Sequence, residues 1–234
     1  MQITWLGHSG FRIVIADQVL LIDPWLTGNP SFPAAHEAEA VLGATTILIT
    51  HAHGDHYFDA ERLSALTHAP ILAVHEIAEV IDHGGVGSAI GFGRGGTITR
   101  GGVKISMVPA SHSNSFDNDP GNLRMAGAEC GYMIAGEGHV IYVSGDTGIM
   151  ADMGWMGEYY APDIGILCCG GHYTMDMAGA AWAAGRFFDF KTVIPCHYKT
   201  FGLLAQSADT LVAGLPGVQV LMPAVMEAVE VPPR

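Results

Sequence analysis

Three imidazoles and a carboxylate fall within the six residues His51-Ala52-His53-Gly54-Asp55-His56, directly after the apolar run Thr46-Ile47-Leu48-Ile49. At the end of a strand, alternate side chains point to one side, so His51, His53 and Asp55 can converge on one point. His56 can turn to a neighbouring point, an arrangement that suits two adjacent metal ions better than one. Imidazole nitrogen and carboxylate oxygen are ligands that Zn²⁺, Mn²⁺ and Fe accept. Further ligand types recur where other apolar runs end. His112 follows 103–108, Asp146 follows 139–143 in Ser144-Gly145-Asp146-Thr147-Gly148, and His197 follows Thr192-Val193-Ile194. Residues at strand-to-loop junctions are where layered α/β folds place their chemistry. Asp23 ends the run 19–22 and is suited to accept a hydrogen bond from a ligand histidine, fixing its tautomer.

The series His51-x-His53-x-Asp55-His56, His112, Asp146, His197 resembles the metallo-β-lactamase superfamily, over nearly the whole chain from Ile3 to about Val231. Trp5-Leu6-Gly7-His8-Ser9-Gly10-Phe11 and Leu21-Ile22-Asp23-Pro24 narrow the likeness to small metal-dependent hydrolases related to the L-ascorbate-6-phosphate lactonases. The resemblance implies a four-layer αβ/βα sandwich, two mixed sheets flanked by helices, with metals along one edge. It assigns His51, His53 and His112 to one ion, Asp55, His56 and His197 to a second, and Asp146 to both. The nucleophile it implies is a hydroxide bridging two divalent ions, Zn²⁺ first and Mn²⁺, Fe²⁺ or Ni²⁺ as alternatives, with Asp55 also orienting it. An ester or lactone bond of a small molecule is the leading substrate. A small phosphodiester is the rival, and a metal-dependent binding protein without turnover is the alternative outside enzymes, because one fold serves many chemistries.

Two loop histidines compete for a part in the reaction. His8 lies in Gly7-His8-Ser9-Gly10, and His172 lies in Gly170-Gly171-His172-Tyr173, where Asp176 is near enough in sequence to orient its ring. Either can bind substrate or act as general acid; the alternative is a hydrogen-bonded structural histidine. The polar tract 113–122 after His112 is expected to form a wall or lid of the pocket.

Strands are expected at 2–6, 11–15, 19–22, 46–49 and 71–74, with helices at 59–67 and 75–81. A second, similar half has strands at 103–108, 130–135, 139–143, 164–167, 192–194, 218–221 and 227–231, and helices at 150–158, 176–188 and 203–215. Residues 84–102 carry nine glycines and read as a loop followed by a turn. The two halves are expected to form one domain spanning 1–234.

With 49% apolar and 14% charged residues, much of the chain must lie inside a core. No apolar stretch approaches the ~20 residues that span a bilayer, and no signal peptide is visible, so the expected location is the cytoplasm, away from membranes. Cys130, Cys168, Cys169 and Cys196 lack metal-finger spacing and read as buried thiols, Cys196 as a small apolar filler beside His197. Ten Lys and Arg against 23 Asp and Glu give a net charge of −13. Without a basic stripe, nucleic acid is excluded as a partner and a small-molecule substrate is favoured. Assembly with further copies of the chain is left open.

Overall fold

The computed structural model describes residues 1–117 and 121–234; positions 118–120 of the expected lid tract lie outside the described residues. Two seven-stranded sheets share one connectivity pattern. The first contains β1 (Gln2–Gly7), β2 (Gly10–Ile15), β3 (Gln18–Ile22), β4 (Thr46–Leu48), β5 (Ile71–Val74) and β6 (Ala89–Phe92), edged by β16 (Ala228–Glu230) beside β1. Its β16-β1-β2-β3 part is antiparallel and its β3-β4-β5-β6 part parallel. The second contains β7 (Thr97–Arg100), β8 (Val103–Pro109), β11 (Cys130–Gly136), β12 (His139–Val143), β13 (Ile164–Cys168), β14 (Thr192–Cys196) and β15 (Gln219–Val220), and a separate antiparallel ribbon pairs β9 (Ser115–Phe116) with β10 (Arg124–Met125). Here β7-β8-β11-β12 are antiparallel and β12-β13-β14-β15 parallel. The central parallel strands β4, β5 and β13 are buried along their whole length and apolar but for Thr46, as strands covered on both faces must be.

Helices cover the outer faces. Before the histidine-rich segment 51–56, α1 (Glu37–Val41) follows a short 3₁₀ turn at Ala34–His36, and α2 (Gly54–Tyr57) begins within that segment. On the first sheet lie α3 (Ala60–Thr67) and α4 (His75–Gly84); α6 (Met177–Phe187) lies on the second, with α5 (Met153–Tyr160) and α7 (Asp209–Gly214) packed against it. The result is two mixed sheets flanked by helices, the metallo-β-lactamase αβ/βα sandwich. Inner-face side chains of both sheets merge into a single buried cluster. Polar links also join the sheets next to the histidine-rich segment. The Tyr132 hydroxyl of β11 donates to the Ile49 carbonyl at 2.7 Å, and the Cys130 N–H donates to the Thr50 carbonyl at 3.0 Å. All four cysteines are buried, and burial pushes the Cys130 and Cys168 thiols up to about 12.

Two expectations from sequence need correction. The glycine-rich stretch is not simply loop and turn, because β6 and β7 form within it. Gly91 lies in β6 where a Cβ would stand 3.1 Å from Ala78 Cβ and His75 Cα, so this glycine lets α4 pack onto the sheet. Helix 203–215 shrinks to α7, because Phe201, Leu203 and Leu204 belong to a turn held by the Gln206 amide. That amide donates to the Phe201 and Leu204 carbonyls at 2.9 and 2.8 Å.

Candidate metal centre

The ligand-type residues meet where the parallel strands of both sheets end. His51, His53, Asp55 and His56 come from the loop and α2 after β4, Asp146 from the loop after β12, and His197 from the end of β14. His112 comes from the loop after β8. Gly145, at φ +59°, sets the turn into Asp146; a Cβ there would lie 2.6 Å from the Cys130 carbonyl oxygen. His8, Asp23 and His197 also hold left-handed backbone, at φ +51°, +41° and +56°. Such conformations cost energy and concentrate at functional sites.

Donor atoms within 4.8 Å of one another form three sets: His51-His53-His112, His51-His56-Asp146 and His8-Asp55-His56-His197. Asp146 Oδ2 connects them, lying 3.0 Å from His197 Nε2, 3.5 Å from His56 Nε2 and 3.7 Å from His112 Nε2. His56 Nε2 and Asp146 Oδ1 are buried without a hydrogen-bond partner. Buried orphans of this kind in a histidine–carboxylate set fit a divalent cation.

Asp23 fixes two of the imidazoles. Its Oδ2 accepts from His56 Nδ1 at 2.8 Å, which leaves His56 Nε2 turned toward Asp146. Oδ2 also accepts from the Thr50 hydroxyl at 2.7 Å, and Oδ1 from the Thr50 N–H at 2.8 Å. With its proton committed to Asp23, Thr50 Oγ1 accepts from His51 Nδ1 at 3.0 Å, so His51 Nε2 keeps its lone pair for a cation. One carboxylate thus orients His56 directly and His51 through Thr50. Asp23→Asn should weaken metal affinity by about 10–100-fold while the fold persists. Competition with a chromophoric chelator reads the affinity, and an unchanged affinity would remove Asp23 from this role.

Burial lowers the His51 and His112 imidazoles. For His56 burial also pulls downward, but Asp146, Asp55 and Asp23 outweigh it and hold the ring well above its ordinary range. Without metal, His56 therefore carries a proton where a cation would sit.

His8 and His172 separate clearly. His8 is fully buried, with Nε2 at 2.8 Å from Asp55 Oδ2 and Nδ1 at 2.9 Å from Thr200 Oγ1. Its carbonyl accepts from His197 N–H at 3.0 Å and from Trp5 Nε1 at 2.9 Å, tying the β1–β2 turn to the end of β14. His172 is exposed and belongs to a neighbouring depression beside Ile149 and Thr174. Asp176 does not orient it, because that carboxylate caps α6 by accepting from Gly179 N–H at 2.6 Å.

The cluster opens into a cavity of about 610 Å³, with Ser113 and Asp117 from the expected wall on one side and Tyr173, Phe201 and Leu203 on another. The sequence does not mark the last three, and Asn114 of the expected wall tract is instead a buried brace, whose side chain accepts from Ala52 N–H and donates to the Ala126 carbonyl. Their side-chain types carry no metal-ligand signal. Cys196 is buried and does not line the cavity.

Residues 2–197 match the β-lactamase superfamily domain. The chain belongs to the metallo-β-lactamase superfamily. A Paracoccus denitrificans protein named UPF0173 metal-dependent hydrolase is 60% identical over 230 residues, 98% of this chain and 99% of the relative. A Cereibacter sphaeroides relative, also a UPF0173 metal-dependent hydrolase, is 57% identical over 231 residues, 99% and 100% of the two chains. Among solved structures, Igni18, described as a metallo hydrolase of Ignicoccus hospitalis, is 32% identical with a TM-score of 0.84 over 97% of both chains. An isothiocyanate hydrolase from Delia radicum gut bacteria shares the fold at 19% identity, with a TM-score of 0.78 over 100% of both chains. Among the described residues no helix is long and apolar enough to cross a membrane.

Proposed function

We propose that this protein is a metal-dependent hydrolase that uses two divalent ions, Zn²⁺ first, on an ester or lactone bond of a small molecule. The observation that carries this reading is Asp146 Oδ2, within 3.0–3.7 Å of imidazoles from both halves of the ligand series. In this assignment His51, His53 and His112 would hold one ion and Asp55, His56 and His197 the other, with Asp146 as the shared carboxylate. Bound divalent ions supply acidified water and a polarised substrate oxygen near neutral pH. The protein's own part is orientation. Asp23 and Thr50 fix the imidazoles. Asp55 Oδ2, held by His8 and 3.7 Å from His197 Nε2, stays a carboxylate and would orient the attacking water by accepting its hydrogen. A cavity of about 610 Å³ is in the range of small-molecule sites. Supporting the ester or lactone choice over a phosphodiester are the likeness of the Trp5–Phe11 and Leu21–Pro24 segments to the lactonase branch and the −13 charge.

The test is a panel of p-nitrophenyl esters, lactones and bis(p-nitrophenyl) phosphate, assayed after loading with Zn²⁺ or Mn²⁺. Ester or lactone turnover should dominate, and Asp55→Asn should lower it by at least about 10²-fold through mispositioning of the nucleophile. His172→Ala should keep nearly full turnover, since its ring lies outside the ligand cluster. Turnover of the phosphodiester alone, or an Asp55→Asn variant as active as the parent, would overturn the assignment.

A further inference from the structure

Resting on that hydrolase reading, the geometry points to the class of substrate. We infer that the site takes an uncharged ester or lactone whose apolar substituent, remote from the reacting bond, lies against Phe201, Leu203 and Tyr173. These three side chains line the cavity and remain 37%, 64% and 55% exposed. Large apolar side chains are usually covered, so three converging on one cavity mark a binding surface. Phe201 is braced from behind, with its ring 6.0 Å from Trp25 and 5.4 Å from His8, so the wall presents a fixed aromatic face.

Charge at the cavity points the same way. Among the described residues no Lys or Arg lines the cavity, and positions 118–120, Asn-Asp-Pro, contain none. Nearby cations are engaged elsewhere. Lys199 Nζ sits 5.1 Å over the Tyr198 ring, and the Arg124 guanidinium sits 5.2 Å over the Phe116 ring. Asp117 adds a carboxylate to the wall, its Oδ1 accepting from Gly54 N–H at 2.9 Å. A phosphate or carboxylate carried at the far end of a substrate would lose its water without gaining a counter-charge. A sugar phosphate is therefore a poor fit, and an alkyl or aryl tail a good one.

Matched substrates isolate this point. p-Nitrophenyl hexanoate and the p-nitrophenyl monoester of adipic acid differ only in a terminal methyl or carboxylate. The metal-loaded enzyme should favour the hexanoate by at least about tenfold in kcat/KM, since the terminal methyl gains about fourfold on an apolar wall whereas the carboxylate must shed water there without a counter-charge. Phe201→Ala with Leu203→Ala should cut the hexanoate-to-acetate ratio by about tenfold, and Asp117→Lys should raise turnover of the adipate ester. Both wall residues are exposed enough for the variants to fold. Calorimetry with 2-octanone and 7-oxooctanoate, matched ketones that need no turnover, should show tighter binding of the uncharged one. Equal or better use of the adipate ester, lost in Lys199→Met, would overturn the inference while leaving the hydrolase intact. If neither ester is cleaved, the hydrolase reading fails, and ketone binding still decides whether the wall selects uncharged tails.

Discussion

Stripped of metal and titrated with Zn²⁺, the protein should saturate at two equivalents per chain, and Asp146→Ala should weaken both. Asp146 Oδ2 faces imidazoles of both ligand sets at 3.0–3.7 Å, and Oδ1 is buried without a partner. A shared carboxylate also reduces repulsion between two dications, so its removal acts on both ions together. Residues that merely orient ligands are worth about 10–100-fold in affinity, so losing the shared ligand should exceed about 100-fold at each step. Uptake at neutral pH should release a proton, because Asp146, Asp55 and Asp23 keep His56 charged in the metal-free state. Titrations in two buffers of different ionisation enthalpy measure that release. Apparent affinity should fall as the medium is acidified, the direction required when a cation displaces a proton. Saturation at one equivalent, with His197→Ala leaving that one intact, would refute the shared-ligand arrangement.

The ligand series was legible in the chain because its chemistry is local. Imidazoles and carboxylates at strand ends are unusual enough to be found one by one, and the sheets carry those strand ends to a single edge. The repeat of antiparallel then parallel strands explains why the sequence reads as two similar halves. Asp23 after β3 and Asp146 after β12 occupy matching positions in the two sheets, yet one orients histidines while the other faces them. What orients each residue was less visible. The Thr50 relay to His51 needs Asp23 from another strand, and Thr200 reaches His8 across 192 positions. The substrate wall was hidden for a different reason. Leu203, Leu204, Leu211 and Leu215 have spacings that suit an amphipathic helix, but Leu203 faces the cavity and only 209–214 form helix. The periodicity was real for the buried Leu211 and Leu215 and coincidental before them. In 84–102, glycine abundance suggested turns, whereas Gly91 answers to the close approach of α4.

Replacing His8 should change how the metal-free protein responds to acid. Burial is the largest influence on this imidazole and lowers it to about 4 from 6.5, so at neutral pH the ring is uncharged. Its Nε2–H then donates to Asp55 Oδ2 at 2.8 Å, and Nδ1 accepts from the Thr200 hydroxyl at 2.9 Å. The sign follows from linkage. Between pH 6.5 and 4 the unfolded chain takes up a proton at His8 that the folded chain refuses, so stability falls as pH falls through this window. A shift of this size corresponds to roughly 3 kcal/mol. His51 and His112, also lowered, add to the decline, whereas the raised His56 is already protonated in both folded and unfolded chains below pH 6.5 and leaves the slope in this window unchanged. Asp55, whose carboxyl His56 and His8 hold well below its usual range against burial, loses its contribution only at still lower pH. His8→Gln keeps an amide donor for Asp55 and removes the titrating ring, so its decline from pH 6.5 to 4 should be shallower by roughly 3 kcal/mol in urea unfolding. His8→Ala removes the donor as well, costing about 1.5–3 kcal/mol at neutral pH for the lost bond to a charged group and leaving Asp55 free to turn away from His197. A His8→Gln protein whose stability follows the parent curve would show that His8 titrates normally. One that binds a metal equivalent fewer would make His8 a ligand in its own right, the alternative that its place beside Asp55, His56 and His197 allows.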